Sequence, residues 1–213
     1  MNSLLCSALR SVPSAWLRDL AGAWVFYSVL PGWPWPAPHF VRIARFAPWI
    51  GAVIGGLTAS VWLLLSALNW QPAAIAPVAL AFGLWLTGGL HLDGLMDTAD
   101  GLAAGNDRCL EAMDDSRIGA SGAQALVIVL LLQFSALVQL GGLAPAALVT
   151  SAFFARVSPL WAMGRFRYLR RDGTAAFHRS NWCGWREGLP TLLLLVVTAL
   201  LLFWLQPERL AAF

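Results

Sequence analysis

Three aspartates, Asp93, Asp97 and Asp100, stand in the stretch HLDGLMDTAD at the spacing i, i+4, i+7. At about 100° per residue these positions fall within a ~60° arc, so a helix here carries three carboxylates on one stripe. Like charges gathered this closely repel, and near a bilayer they cost several kcal/mol unless neutralised. A divalent cation is the economical neutraliser, and hard carboxylate oxygens select Mg²⁺, Mn²⁺ or Ca²⁺ over zinc. Mg²⁺ commonly keeps positions open for substrate phosphate, which points to phosphoryl chemistry. His91 lies on the opposite side of the helical wheel from Asp93. It has two readings, an interfacial hydrogen-bonded histidine or a ligand to substrate.

The acids continue into RCLEAMDDSRIGASG, which holds Glu111, Asp114, Asp115 and Arg117. Asn106 or Asp107 is placed to cap a short helix there. Glu111 and Asp115, four apart, would share its face. Seven of the chain's 11 acidic residues lie between 93 and 115, so a carboxylate cage built from two helices is expected. A solvated helix end is the bland alternative; three acids on one stripe weigh against it. The three cysteines have no metal-ligand spacing.

The elements that must position these groups are those of a membrane protein. Of 213 residues, 59% are hydrophobic and 12% charged, against roughly 25% charged in soluble domains. The expected architecture is all-α: one integral-membrane domain over 1–213, a polytopic bundle of about five spans. These fall at 46–68, 72–96, 118–140, 145–164 and 188–206, each near the ~20 apolar residues that a crossing needs. The stretch 15–30, interrupted by Arg18 and Asp19, reads as an interfacial or re-entrant helix ended by PGWPWPAP. Gly-Gly pairs at 55–56, 88–89 and 141–142 suit close helix approach.

All 14 basic residues are arginine. They alternate between links: Arg42 and Arg45 before the first span, none in NWQ, Arg108 and Arg117 in the next link, none in GGLA. Six more (Arg165, Arg167, Arg170, Arg171, Arg179 and Arg186) follow the fourth span. The positive-inside rule then puts the Asp-rich stretch and the six-Arg loop in the cytoplasm. Those arginines serve topology, anionic-substrate binding, or both. Arg156 differs: it sits inside a span, where a cation is a functional hypothesis by default, pairing with a carboxylate or phosphate.

GGLHLDGLMDTADGL followed by DRCLEAMDDSRIGASG closely resembles the signature of the cobalamin synthase family, the adenosylcobinamide-GDP ribazoletransferases. Its pattern reads GGxHLDGLxDTxDG, then DRxLEIMxDSRxGxxG, and looser similarity runs from about residue 20 to 190. VFYSVLPGWPWP resembles the family's F-x-T-x-L-P-x-P segment, and Arg156 falls at a Ser-Arg-type position. The resemblance implies a polytopic enzyme of the inner (cytoplasmic) membrane, with its Asp-rich site on the cytoplasmic side. A ribose hydroxyl of α-ribazole or its 5′-phosphate would attack the cobinamide-linked phosphate of adenosylcobinamide-GDP and release GMP. It implies Mg²⁺, with Asp93, Asp97 and Asp100 as ligands and Asp97, Asp100, Asp115 and Arg117 in catalysis. Arg156 and His91 are the substrate-binding candidates, membrane lipid is a partner, and nucleic acid is not.

Asp114 departs from the family's non-acidic residue, and the family's GGxTGDxxGAxxE-like C-terminal block is absent, so the chain reads as shortened. The element D-x-x-D-G at 97–101 also resembles CDP-alcohol phosphotransferases, but Ala104 is followed by Gly105 where they have Ala-Arg. A divalent-cation transporter is the non-enzymatic alternative; it would place its acids near the bilayer midplane.

Overall fold

The computed structural model describes residues 13–169 and 176–205, with side chains over 15–169 and 176–200. Arg170 and Arg171 of the six-Arg loop, and the last residue of the expected 188–206 span, lie outside the described residues.

Every regular element among the described residues is helical. They are α1 Pro13–Tyr27, α2 Ala47–Ala67 entered through a 3-10 turn at Ile43–Phe46, and α3 Pro72–Leu86. Next come α4 Leu90–Ala103, α5 Cys109–Asp114, α6 Ala120–Leu140 and α7 Ala144–Phe154. The last are α8 Val157–Arg165, the short α9 Ala176–Ser180 and α10 Leu189–Leu205. The all-α expectation holds. The chain divides into two compact units, Met1–Val53 with Ser151–Phe213, and Ile54–Thr150.

Two helical runs are long and apolar enough to cross a membrane: Ile43–Ala67 and Ala120–Arg165, with mean hydropathies of 1.9 and 2.2. The second is interrupted by a 3-10 turn at Gly141–Leu143 and a turn at 155–156. The pair α3 and α4 gives a third if taken as one bent span. Five spans were expected; the described residues give two or three. The expected 188–206 span is described as α10 over 17 residues, and the expected 72–96 helix is two helices. Its break is a corner of 91° at Gly88 and Gly89, whose φ values of 60° and 75° lie in the left-handed region open to glycine. This pair therefore turns the chain instead of packing helices.

Close packing falls to other glycines. A Cβ on Gly51 would lie 2.3 Å from the Ala152 carbonyl oxygen and 2.8 Å from Arg156 Cδ. One on Gly22 would lie 2.2 Å from the His39 carbonyl oxygen.

In the first unit, charges that sequence patterning left as scattered are paired. Arg45, 2% exposed, donates to Asp19 at 2.5 Å and lies over the Trp16 ring at 4.6 Å. His39 Nδ1 meets the other Asp19 oxygen at 3.1 Å. Arg42 binds Glu187 at 2.5 Å across 145 residues of sequence. Asp19 therefore ties α1 to the entry of α2, which explains a buried acid in a largely apolar helix. Removing one partner of such a buried pair costs about 3–5 kcal/mol.

In the second unit, Trp62, Ile75, Ala76, Ala79, Leu137 and Ala144 form the core where α2, α3 and α6 meet. Leucines such as Leu131 and Leu132 point outward and are more than half exposed, as lipid-facing positions would be.

Candidate functional site

All three stripe aspartates fall on α4, as the spacing required, and α4 packs chiefly on α6 and α5. Asp93 is exposed, whereas Asp97 and Asp100 are half-buried. The fate of Asp100 is the most informative feature. One of its oxygens accepts the Gly119 N–H at 2.8 Å and the other accepts the Gly122 N–H at 2.8 Å. These are the N-cap and third residues of α6, so Asp100 satisfies two of the four amides that a helix start leaves without partners. The helix dipole adds to the attraction.

The same contact explains the G-A-S-G spacing. A Cβ on Gly119 would sit 2.3 Å from Asp100 Oδ1, and one on Gly122 would sit 2.4 Å from Oδ2. Gly101 has a parallel role beneath α5, where a Cβ would strike Met113 Cγ at 2.5 Å. The motif is thus a lock: its glycines exist so that one carboxylate can reach a neighbouring helix end.

The expected two-helix cage is not assembled. Helix α5 begins from Arg108, with no side-chain cap from Asn106 or Asp107, and ends at Asp114. Asp115 is extended (φ −75°, ψ 122°), so it shares no helix face with Glu111. It turns instead to Arg117, whose Nε lies 3.0 and 3.1 Å from its two oxygens and whose Nη2 lies 2.6 Å from Oδ2. The Arg117 backbone N–H adds a bond at 3.0 Å. These bonds lower the Asp115 carboxyl to about 2 and raise the Arg117 guanidinium further. A carboxylate that acidic is a weak proton acceptor.

Among the described residues, no three His, Cys, Asp or Glu side chains converge as a metal centre would require. Asp100 is turned to the α6 amides, and Asp93 and Asp97 stand one turn apart on α4. That donor set fits Mg²⁺, which is commonly held by one or two carboxylates together with substrate phosphate oxygens. His91 is exposed near the start of α4.

Arg156 belongs to the first unit. It is 5% exposed, with Nη1 donating to the Ala152 carbonyl at 2.8 Å and Nε without a partner among the described residues. Gly51 leaves room for its stem.

Residues 19–213 match the family model described as cobalamin-5-phosphate synthase. The chain belongs to that family. Among curated members, the chain is 61% identical over 184 residues to the adenosylcobinamide-GDP ribazoletransferase of Prochlorococcus marinus strain MIT 9303. The match covers 85% of this chain and 71% of that protein. The enzyme of the same name from Thermosynechococcus vestitus is 39% identical over 196 residues, covering 91% and 78% of the two chains. No solved structure matches.

What patterning missed in this family member are the partners of its acids. Gly119 and Gly122 were visible as motif letters, but the group they accommodate lies 19 and 22 residues away. Asp19 and Glu187 gave no local signal beyond being acids in apolar surroundings.

Proposed function

We propose that this chain joins α-ribazole, or its 5′-phosphate, to adenosylcobinamide-GDP and releases GMP. The observation that supports it best is the acidic helix α4, locked to the start of α6 through Asp100 in a chain so similar to named ribazoletransferases. A ribose hydroxyl oxygen forms the new bond to the cobinamide-linked phosphorus. The bond from that phosphorus to the GMP oxygen breaks, and the hydroxyl proton leaves to a base.

Asp93 and Asp97 would hold a Mg²⁺ ion, which when bound neutralises phosphate charge. The remaining work falls to the chain. We assign the proton to Asp97, because Asp100 is held by the α6 amides and Asp115 by Arg117. Asp100 fixes the direction of the stripe by holding the α6 amides. Asp115 holds Arg117 through Nε and Nη2, and the remaining guanidinium N–H groups would meet a phosphate oxygen. The Arg distribution supports a cytoplasmic-membrane location with the acidic helix on the cytoplasmic side.

The test is product identity from the purified chain. GMP release from adenosylcobinamide-GDP, dependent on α-ribazole, is the expected result. CMP release from a CDP-alcohol, or divalent-cation flux with no nucleotide released, would replace this reading.

A further inference from the structure

A cavity of about 560 Å³ in the first unit is lined by none of the residues given a role in the chemistry above. It lies among α8, the turn Gly184–Gly188 and the start of α10, and its lining includes Leu160, Trp161, Arg165, Trp182, Trp185 and Thr191. Its size falls in the range of about 300–1,000 Å³ usual for small-molecule sites. Three indoles around one cavity offer flat apolar surfaces. Gly164 of α8 faces one of them: a Cβ there would lie in ordinary contact with the Trp182 ring, at 3.4 Å.

Two polar groups interrupt this wall. Thr191 is only 8% exposed, and among the described residues its hydroxyl has no hydrogen-bond partner. Other helical threonines satisfy themselves: Thr58, Thr98 and Thr150 each donate to the carbonyl four residues back, at 2.6–2.9 Å. Thr191 does not, and a buried hydroxyl left without a partner is one that a ligand can satisfy. Arg165, the last residue of α8, has no ion-pair partner among the described residues.

We propose that this cavity binds a heteroaromatic nucleoside monophosphate: the base against the indoles, a polar ring or sugar atom on the Thr191 hydroxyl, and the phosphate on Arg165. A lipid acyl chain would suit the indoles and Leu160 but would leave Thr191 unsatisfied. The ligand's identity rests on the transferase reading, under which it is α-ribazole 5′-phosphate.

The experiment is direct equilibrium binding to the full chain in detergent micelles, with α-ribazole and its 5′-phosphate as two probes, on wild type, Thr191→Val and Arg165→Gln. Thr191→Val is expected to weaken both probes about fivefold, the effect of one neutral hydrogen bond. Arg165→Gln is expected to weaken the phosphorylated probe at least tenfold and to leave the nucleoside within twofold.

Unchanged affinities in both variants would overturn the proposal. So would equal losses of both probes in Arg165→Gln, or displacement of the ribotide by added phosphatidylglycerol, which would mark a lipid site. Circular dichroism and elution volume matching wild type certify that each variant is folded. The two readings fail separately. A wild-type chain that binds the ribotide through Thr191 and Arg165 but releases no GMP defeats the transferase reading alone. Normal GMP release with an unchanged ribotide KM in both variants defeats the cavity alone.

Discussion

Asp100 and Gly119 should be energetically inseparable. The three atoms nearest a Cβ added at Gly119 all belong to the Asp100 carboxylate, at 2.3, 2.7 and 3.0 Å. Gly119→Ala must therefore drive the carboxylate off the α6 amides or distort the helix start. Overpacking of this kind costs about 1–3 kcal/mol, and the poorer cap that alanine makes adds up to about 1 kcal/mol. Asp100→Ala removes two hydrogen bonds to an ionised acceptor, which at roughly 1.5–3 kcal/mol each, reduced because water reaches a half-buried site, comes to about 2–4 kcal/mol.

In the double variant the new methyl group no longer meets a carboxylate. The second substitution should then cost only the cap difference, under about 1 kcal/mol. The coupling energy is thus expected at about 1–2 kcal/mol, well beyond the 0.3–0.5 kcal/mol scatter of independent sites. Reversible unfolding in mixed micelles titrated with SDS, followed by circular dichroism, measures all four corners of the cycle. Hydrogen exchange at the Gly119 and Gly122 amides reports the same contact directly. Additive energies, or a Gly119→Ala variant as stable as wild type, would refute the lock.

Asp97→Asn is expected to abolish GMP release while membrane insertion and helix content stay normal; full turnover would remove Asp97 from the chemistry. Arg117→Gln should let the Asp115 carboxyl rise from about 2 towards the ordinary 3.8, read by carboxyl-carbon NMR titration. Because that carboxyl is depressed, the ion pair is complete above about pH 3.8 and is lost as pH falls through 2, so the variant's effect should be flat at neutral pH. His178, whose ring packs on Phe177 at 3.8 Å, is lowered by burial to about 4. Between pH 6.5 and 4 the unfolded chain takes up a proton that the folded one refuses, so stability should fall with pH across that window and be level above it. His178→Phe should flatten this slope in thermal unfolding curves.

Helices, the aspartate stripe and the membrane class were legible in the sequence because each is a local property of periodicity or composition. The stripe follows from three residues on one helix, and α4 delivers it. Positions 88 and 89 show the limit of such reading. A Gly-Gly pair in an apolar run suits either packing or turning, and only the backbone angles decide. The same ambiguity hid Asp115, whose spacing from Glu111 predicts a shared face but whose extended backbone ends the helix one residue earlier. Asp100 matched the stripe, yet its oxygens point to amides that no helical wheel contains. Pairs such as Arg42 with Glu187 depend on contacts between distant segments, which periodicity does not encode. The cavity at Thr191 was invisible for the same reason: its lining comes from separate segments, α8, the stretch 182–188 and α10.

The right-angle corner after α3 makes that helix a crankshaft. Each residue in an α-helix advances about 100° around the axis, so deleting one residue from the middle of α3 would do more than shorten an apolar rod. It would swing the whole arm that carries the aspartates to a new compass bearing, away from the glycine amides it must reach. A segment whose composition suggests only an anchor therefore has its length fixed to the residue, and tolerance of substitution at its exposed positions, such as Val78, should coexist with intolerance of insertion or deletion.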